Sequence, residues 1–195
     1  MEKQDQTKEY PTVAQLEHEL KRVRYQSRYG RVLRSTVFSL VVVAAVAVLV
    51  AVLFLPVLQI YGHSMTPTLE DGDIVVSIKG SEFEPGDVIA FYYNNKILVK
   101  RVIAGPGDWV DIDKDGNVTV NGQALEEPYL QEKALGDCNI KLPYQVPDSR
   151  LFVMGDHRSV SVDSRNTAVG CVAQEQIVGR LVFRIWPLNG MGTLN

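Results

Sequence analysis

The longest hydrophobic stretch in this chain runs from Val37 to Ile60 (VFSLVVVAAVAVLVAVLFLPVLQI), and no Asp, Glu, Lys or Arg occurs between Arg34 and Glu70. About 20 apolar residues cross a hydrocarbon core of about 30 Å as a helix. The many valines would suit a strand in water, but in lipid a lone segment satisfies its own backbone only as a helix. The pattern therefore predicts a transmembrane helix over 37–60. Pro56 marks its end, because proline removes a donor and clashes with the preceding turn. A cleaved signal peptide would need a shorter apolar region and a small-residue cleavage site, and LFLPVLQIYG supplies none. Upstream, between Pro11 and Arg34, Val13, Leu16, Leu20 and Val23 recur at helical spacing. They predict an amphipathic helix leading into the span, weakened locally by Gly30. Residues 1–11 are polar and read as disordered.

Beyond Ile60 the texture changes to short β-rich runs. DGDIVVSIK, GDVIAFYY, KILVKRVIA, DWVDI, NVTVNG, RLFVM and IVGRLVFRIW read as strands, separated by the turn sequences EPGD, NN, GPGD, DKDGN and NGQ. No helical period follows the span, and Leu125–Asp148 reads as a loop-rich insertion. The fold class is mainly β: an N-terminal transmembrane helix followed by an antiparallel β domain, barrel-like or sandwich-like. The expected organisation is a cytoplasmic segment 1–36 with a basic amphipathic helix, the span 37–60, and an extracytoplasmic domain 61–195, long enough to bury its own core.

Charge orients this arrangement. Residues 1–36 hold eight Lys/Arg against five Asp/Glu, and the rest of the chain twelve against eighteen. Lys21, Arg22, Arg24, Arg28, Arg31 and Arg34 crowd the upstream flank, which marks it as cytoplasmic and suits it to contact with an anionic phospholipid bilayer. The acidic remainder argues against nucleic acid as a partner, since phosphate binding needs a basic patch. Cys138 and Cys171 lie in the outer part, where one disulfide or two thiols are equally compatible with the sequence. No clustered His/Cys set points to a metal, and no cofactor is implied.

The chemistry centres on Ser64, in Ser64-Met65-Thr66-Pro67-Thr68-Leu69. Four extended residues reach at most roughly 14 Å, so Ser64 lies at or near the membrane surface if the span ends at Ile60. A serine hydroxyl needs a base to become a nucleophile. His18 is on the wrong side of the membrane, and His63 adjoins Ser64 and so faces away on extended backbone. Nothing in the spacing requires His157. Lys100 sits in the apolar run Ile97–Ile103, sharing a face with Leu98 and Val102. Burial would disfavour its ammonium form and make the amine a usable base; the competing reading is a lysine that snorkels outward from an edge strand. A third segment, Val153–Arg165, packs polar and charged residues after an apolar strand. It reads either as a solvated loop or as a hydrogen-bonded scaffold with Asp163 and Arg165 as charge partners.

Four ordered blocks behind the anchor, GHSMTPTLEDGD, GDVIAFYY, LVKRVIAGPGD and VMGDHRSVSVDSR, followed by IVGRLVFRIWPL, resemble the type I signal peptidases, the leader peptidases of bacterial membranes. The resemblance covers roughly Pro56 to Gly190. It implies a serine endopeptidase of the Ser–Lys type that cuts secretory preproteins after a small-x-small motif. Ser64 would be the nucleophile and Lys100 the general base, with Arg101 beside it. Ser161 and Asp163 would support the lysine and the local fold, Arg165 would join the associated ion pair, and Gly155 and Asp156 would open that block. The oxyanion site would use the backbone N–H of Ser64; at Gly62 some members carry a serine hydroxyl, so a side-chain donor is absent and backbone at Gly62 is the substitute. His157 stands where members usually have asparagine. A lysine base, a short outer part and one anchor look like a Gram-positive enzyme of the bacterial cell membrane, single-pass, with its N-terminus inside. By position, Leu58, Ile60, Met65, Leu69, Leu98 and Val99 would line shallow pockets for an extended substrate. Two other readings compete: a catalytically silent β-domain that binds exported chains, against which intact Ser64 and Lys100 speak, and a self-cleaving repressor, which would need a DNA-binding domain and no span.

Overall fold

The computed structural model describes residues 12–80 and 82–194; the expected disorder of residues 1–11 lies outside them. One 42-residue helix, α1 (Val13–Phe54), carries both the polar lead-in and the apolar run. It passes through Gly30 unbroken. Its window Tyr29–Val50, with a mean hydropathy of 2.3, is long and apolar enough to cross a membrane, and none of it is buried within the protein. The helix stops at Phe54, two residues before Pro56. Val57–Gln59, which hydropathy assigns to the span, instead form a strand: past the proline the backbone regains its hydrogen bonds from a neighbouring strand.

Twelve strands follow among the described residues: β1 (Val57–Gln59), β2 (Ile74–Ile78), β3 (Val88–Tyr93), β4 (Lys96–Ala104), β5 (Trp109–Ile112), β6 (Val118–Val120), β7 (Gln123–Ala124), β8 (Tyr144–Gln145), β9 (Arg150–Met154), β10 (Val172–Ala173), β11 (Ile177–Trp186) and β12 (Gly192–Thr193). The larger sheet has the order β1-β2-β11-β3-β4-β9-β10, with β12 also on β11, and the smaller β7-β6-β5-β8. Every paired ladder is antiparallel. Between β7 and β9 only β8 is regular, in line with the loop-rich reading of 125–148.

Two features of the large sheet position the site. The β3–β4 hairpin turns at Asn94 (φ 51°) and Asn95, and its register sets Ile89 opposite Lys100 and Val88 opposite Arg101. On its other side β4 pairs with β9 only from Arg101 to Ala104. The half of β4 from Lys96 to Lys100 therefore keeps one edge open. β1 ends the same sheet and is open along its outer edge. Beneath these edges lies a core of Ile60, Met65, Leu69, Val75, Val88, Ala90 and Leu181, with Leu58 and Val99 packed against it. A second core, including Val110, Val118, Phe152 and the buried Cys171, joins the two sheets. Cys138 and Cys171 are both free thiols.

Candidate active site

Ser64 sits in the short loop that leaves β1. Met65 and Leu69 are 2% and 0% exposed, and burying two large apolar side chains pins the loop to the core. Backbone bonds close it: Ile60 N–H to Asp73 O (2.8 Å), Gly72 N–H to Ile60 O (2.9 Å) and Leu69 N–H to Met65 O (2.9 Å). Gly62 has φ of +88°, a left-handed conformation that glycine adopts without a Cβ penalty. Its N–H, expected to face an oxyanion, donates instead to Asp71 Oδ1 at 2.6 Å. That donor is already engaged. Among the described residues no acceptor takes the Ser64 N–H.

Lys100 comes from the neighbouring open-edged strand, on the face that β alternation gives it with Leu98 and Lys96. Its side chain is buried, with 3% exposure, and Nζ lies 2.7 Å from Ser64 Oγ. Burial pushes its pKa down from the ordinary 10.5 to about 8; nearby Asp163 opposes the shift, Arg165 assists it and Asp156 opposes it. The snorkelling alternative does not hold here, because the side chain is buried and its amine is turned onto Ser64 Oγ.

The block Gly155–Arg165 forms a buried scaffold behind the pair rather than a solvated loop. Arg165 grips Asp163 with Nε and Nη2, each at 2.8 Å, and gives Nη1 to Leu135 O at 2.7 Å. Asp163 Oδ2 also accepts the Gly155 N–H at 2.9 Å. Arg101, adjacent to the lysine in sequence, points to the opposite face. It holds Asp156 through Nε (2.9 Å) and Nη2 (2.7 Å), reaches Gly86 O (2.7 Å), and lies under the Tyr129 ring at 4.0 Å. Thr68 Oγ1 donates to the same Asp156 at 2.5 Å, tying the serine loop to the scaffold. Ser161, expected to support the lysine, is buried, but its Oγ has no hydrogen-bond partner among the described residues. Gly155 makes room there: a Cβ on it would collide with Ser161 Oγ and the Ser64 carbonyl oxygen.

Several contacts escaped the sequence. The His157 N–H donates to Ser64 O at 3.1 Å, and its Nδ1 lies 2.9 Å from Thr66 Oγ1 and 3.2 Å from His63 O, so this residue clamps the nucleophile loop. Glu127 and Arg158 form a fully buried ion pair. These pairs are separated by 91 and 31 positions, and no local pattern links such distant residues. Asp71, one step before the Gly-Asp turn, had no distinguishing signal.

A cleft of about 650 Å³ opens beside the pair, lined by Leu58, Ile60, Met65, Leu98 and Val99 as expected, together with Gln59, Tyr61, Gly62, Asn95, Lys96 and Ile97. Leu69 is not among its walls; it lies wholly in the core beneath. Among the described residues no group of three or more His, Cys, Asp or Glu converges as a metal site.

Comparison with known proteins places this arrangement in context. The profile of the family described as signal peptidase, peptidase S26, matches residues 33–186. Signal peptidase IB of Staphylococcus aureus (strain COL) is 40% identical over 151 residues, covering 67% of this chain and 77% of that protein. Thylakoidal processing peptidase 1 of Arabidopsis thaliana, a chloroplast protein, is 37% identical over 165 residues, covering 74% of this chain and 47% of its own length. A crystal structure of a signal peptidase I from Enterococcus faecalis aligns at 30% identity with a TM-score of 0.42, over 51% of this chain and 97% of that one.

Proposed function

Because the chain belongs to the signal peptidase family S26, we propose that it removes N-terminal signal peptides from exported preproteins, with Ser64 as nucleophile and Lys100 as general base. The observation that carries this reading is the 2.7 Å separation of Lys100 Nζ and Ser64 Oγ at a buried position beside an apolar cleft. An amine of pKa about 8 is neutral in about a tenth of molecules at pH 7, against about 0.03% for an ordinary lysine.

The reaction runs in two halves. Neutral Lys100 takes the Ser64 proton as Oγ attacks the scissile carbonyl carbon, and the Ser64 N–H donates to the oxyanion of the tetrahedral intermediate. As that intermediate collapses, the Lys100 ammonium protonates the departing amine, which is the new N-terminus of the mature protein. Lys100 then takes a proton from the water attacking the acyl-enzyme and returns it to Ser64 Oγ as the ester bond breaks, so the signal peptide leaves as a carboxylic acid and the pair is restored. The substrate lies extended against the open edges of β1 and β4, over Leu58, Ile60, Met65, Leu98 and Val99, and the family resemblance supplies its small-x-small motif. Asp163, Arg165, Asp156 and Arg101 hold the scaffold that keeps Lys100 dry, with buried Ser161 packed against Gly155 within it.

We place the protein in a bacterial cell membrane as a single-pass enzyme, with the Lys/Arg-rich segment 1–36 cytoplasmic, the span within α1, and the β domain outside. Its partners are preprotein signal peptides and the bilayer. The test is incubation of detergent-solubilised protein with a preprotein and sequencing of the product's new N-terminus. Wild type yields the mature chain, whereas Ser64→Ala and Lys100→Ala each lose at least about a thousandfold in kcat. Normal turnover by either variant would refute its assigned role.

A further inference from the structure

The cleft is longer than a three-residue recognition motif needs. From Lys100 the open edge of β4 continues back to Lys96 at the hairpin, roughly 13 Å at the rise of an extended strand. Lys96 and Lys100 are the charged side chains that line the cleft, one at each end of that edge. They share a strand face with Leu98, since alternate residues point the same way. Lys100 is buried and committed to Ser64. Lys96 is exposed, and among the described residues it has no ion-pair partner.

An extended substrate advances at the same rise as β4. With its scissile residue at Lys100, the third residue upstream of the bond lies opposite Leu98 and the fifth opposite Lys96. Directly opposed side chains in a strand pair stand on one face, and opposite charges there attract while like charges repel. The upstream direction follows from the chain itself. The cleft's largely apolar walls all come from 58–65 and 95–100. The apolar half of a substrate therefore lies along the Lys96–Lys100 edge, not on the far side of Ser64.

We propose that Lys96 forms a fifth subsite, which selects a carboxylate side chain at the fifth residue before the scissile bond and disfavours a cation there. The subsite rests on the Ser64–Lys100 peptidase reading above. Its ammonium lies in water, so the preference is modest and screened by salt.

The test uses the full-length protein in an uncharged detergent with three peptides. All carry Ala at the first and third positions before the bond, and Glu, Lys or Gln at the fifth; the Gln peptide normalises for active enzyme. Wild type is expected to favour Glu over Lys by about fivefold in kcat/KM at low salt, falling towards parity at 1 M salt. Lys96→Ala should give parity, and Lys96→Glu should invert the order. Parity in the wild type, or an unchanged preference in Lys96→Glu, overturns the subsite while leaving the catalytic pair intact. Cleavage of none of the peptides overturns the catalytic reading, and the subsite with it.

Discussion

At the scale of one residue, Lys100 exposes the trade between stability and chemistry. Its folded pKa of about 8 lies below the ordinary 10.5, so between those pH values the unfolded chain binds the extra proton and stability rises with pH. Below about pH 8 the native state bears the full cost of a desolvated ammonium, at most about 3 kcal/mol. Replacing the amine with a thioether of similar length should therefore abolish cleavage yet stabilise the protein. Urea unfolding of Lys100→Met is expected to give a gain of up to about 3 kcal/mol over wild type at pH 7 that shrinks as pH approaches 10.5. The same titration governs rate. Log kcat/KM should climb about one unit per pH unit below pH 8 and level off above it; a flat profile between pH 6 and 9 would contradict the base assignment. Strand alternation made the shared face of Leu98, Lys100 and Val102 readable in advance. The apposition of Lys100 with Ser64 was not, because it depends on a loop packing 36 positions away through Met65 and Leu69, and only the family blocks pointed to it.

At the scale of elements, the scaffold is held by ion pairs that differ sharply in worth. Asp163 receives two bonds from the Arg165 guanidinium, one from the Arg165 N–H and one from the Gly155 N–H, and both acidic and basic side chains are fully buried. Removing its charge leaves a buried guanidinium with carbonyl acceptors but no counter-charge, and the Gly155 amide without its acceptor. Asp163→Ala is expected to cost about 3–5 kcal/mol in urea unfolding. By contrast, Arg180 and Asp87 pair at 3.1 Å with half of the arginine exposed, and Asp87→Ala should cost less than about 1 kcal/mol. Equal losses would mean that burial does not decide what these pairs contribute. Pattern reading found β2–β6, β9 and β11 because each has several alternating or apolar residues between turn signals. It missed β7, β8, β10 and β12, which have two residues each, too few to show a period. β1 was hidden differently: Val57-Leu58-Gln59 continues the apolar run of the helix, and only pairing with β2 makes it a strand.

At the scale of the whole molecule, the division of labour between helix and β domain can be tested. Every wall of the cleft lies between Leu58 and Lys100, the scaffold behind it between Gly86 and Arg165, and the cores named above between Leu58 and Leu194. None of these residues belongs to α1. On the membrane placement proposed above, the helix contributes location rather than chemistry: it and the substrate's apolar segment then share one bilayer, which raises their effective concentration much as a tether does. A chain lacking residues 1–54 should cleave a short soluble peptide with kcat/KM within about threefold of the full-length protein, since no reacting group has been removed. On a preprotein inserted in vesicles it should fall by roughly a hundredfold or more, the lower range of what linkage supplies. Both rates are read from product N-termini under single-turnover conditions. Equal losses on the two substrates would assign α1 a part in forming the site, and equal retention would mean that the bilayer does nothing to bring enzyme and substrate together.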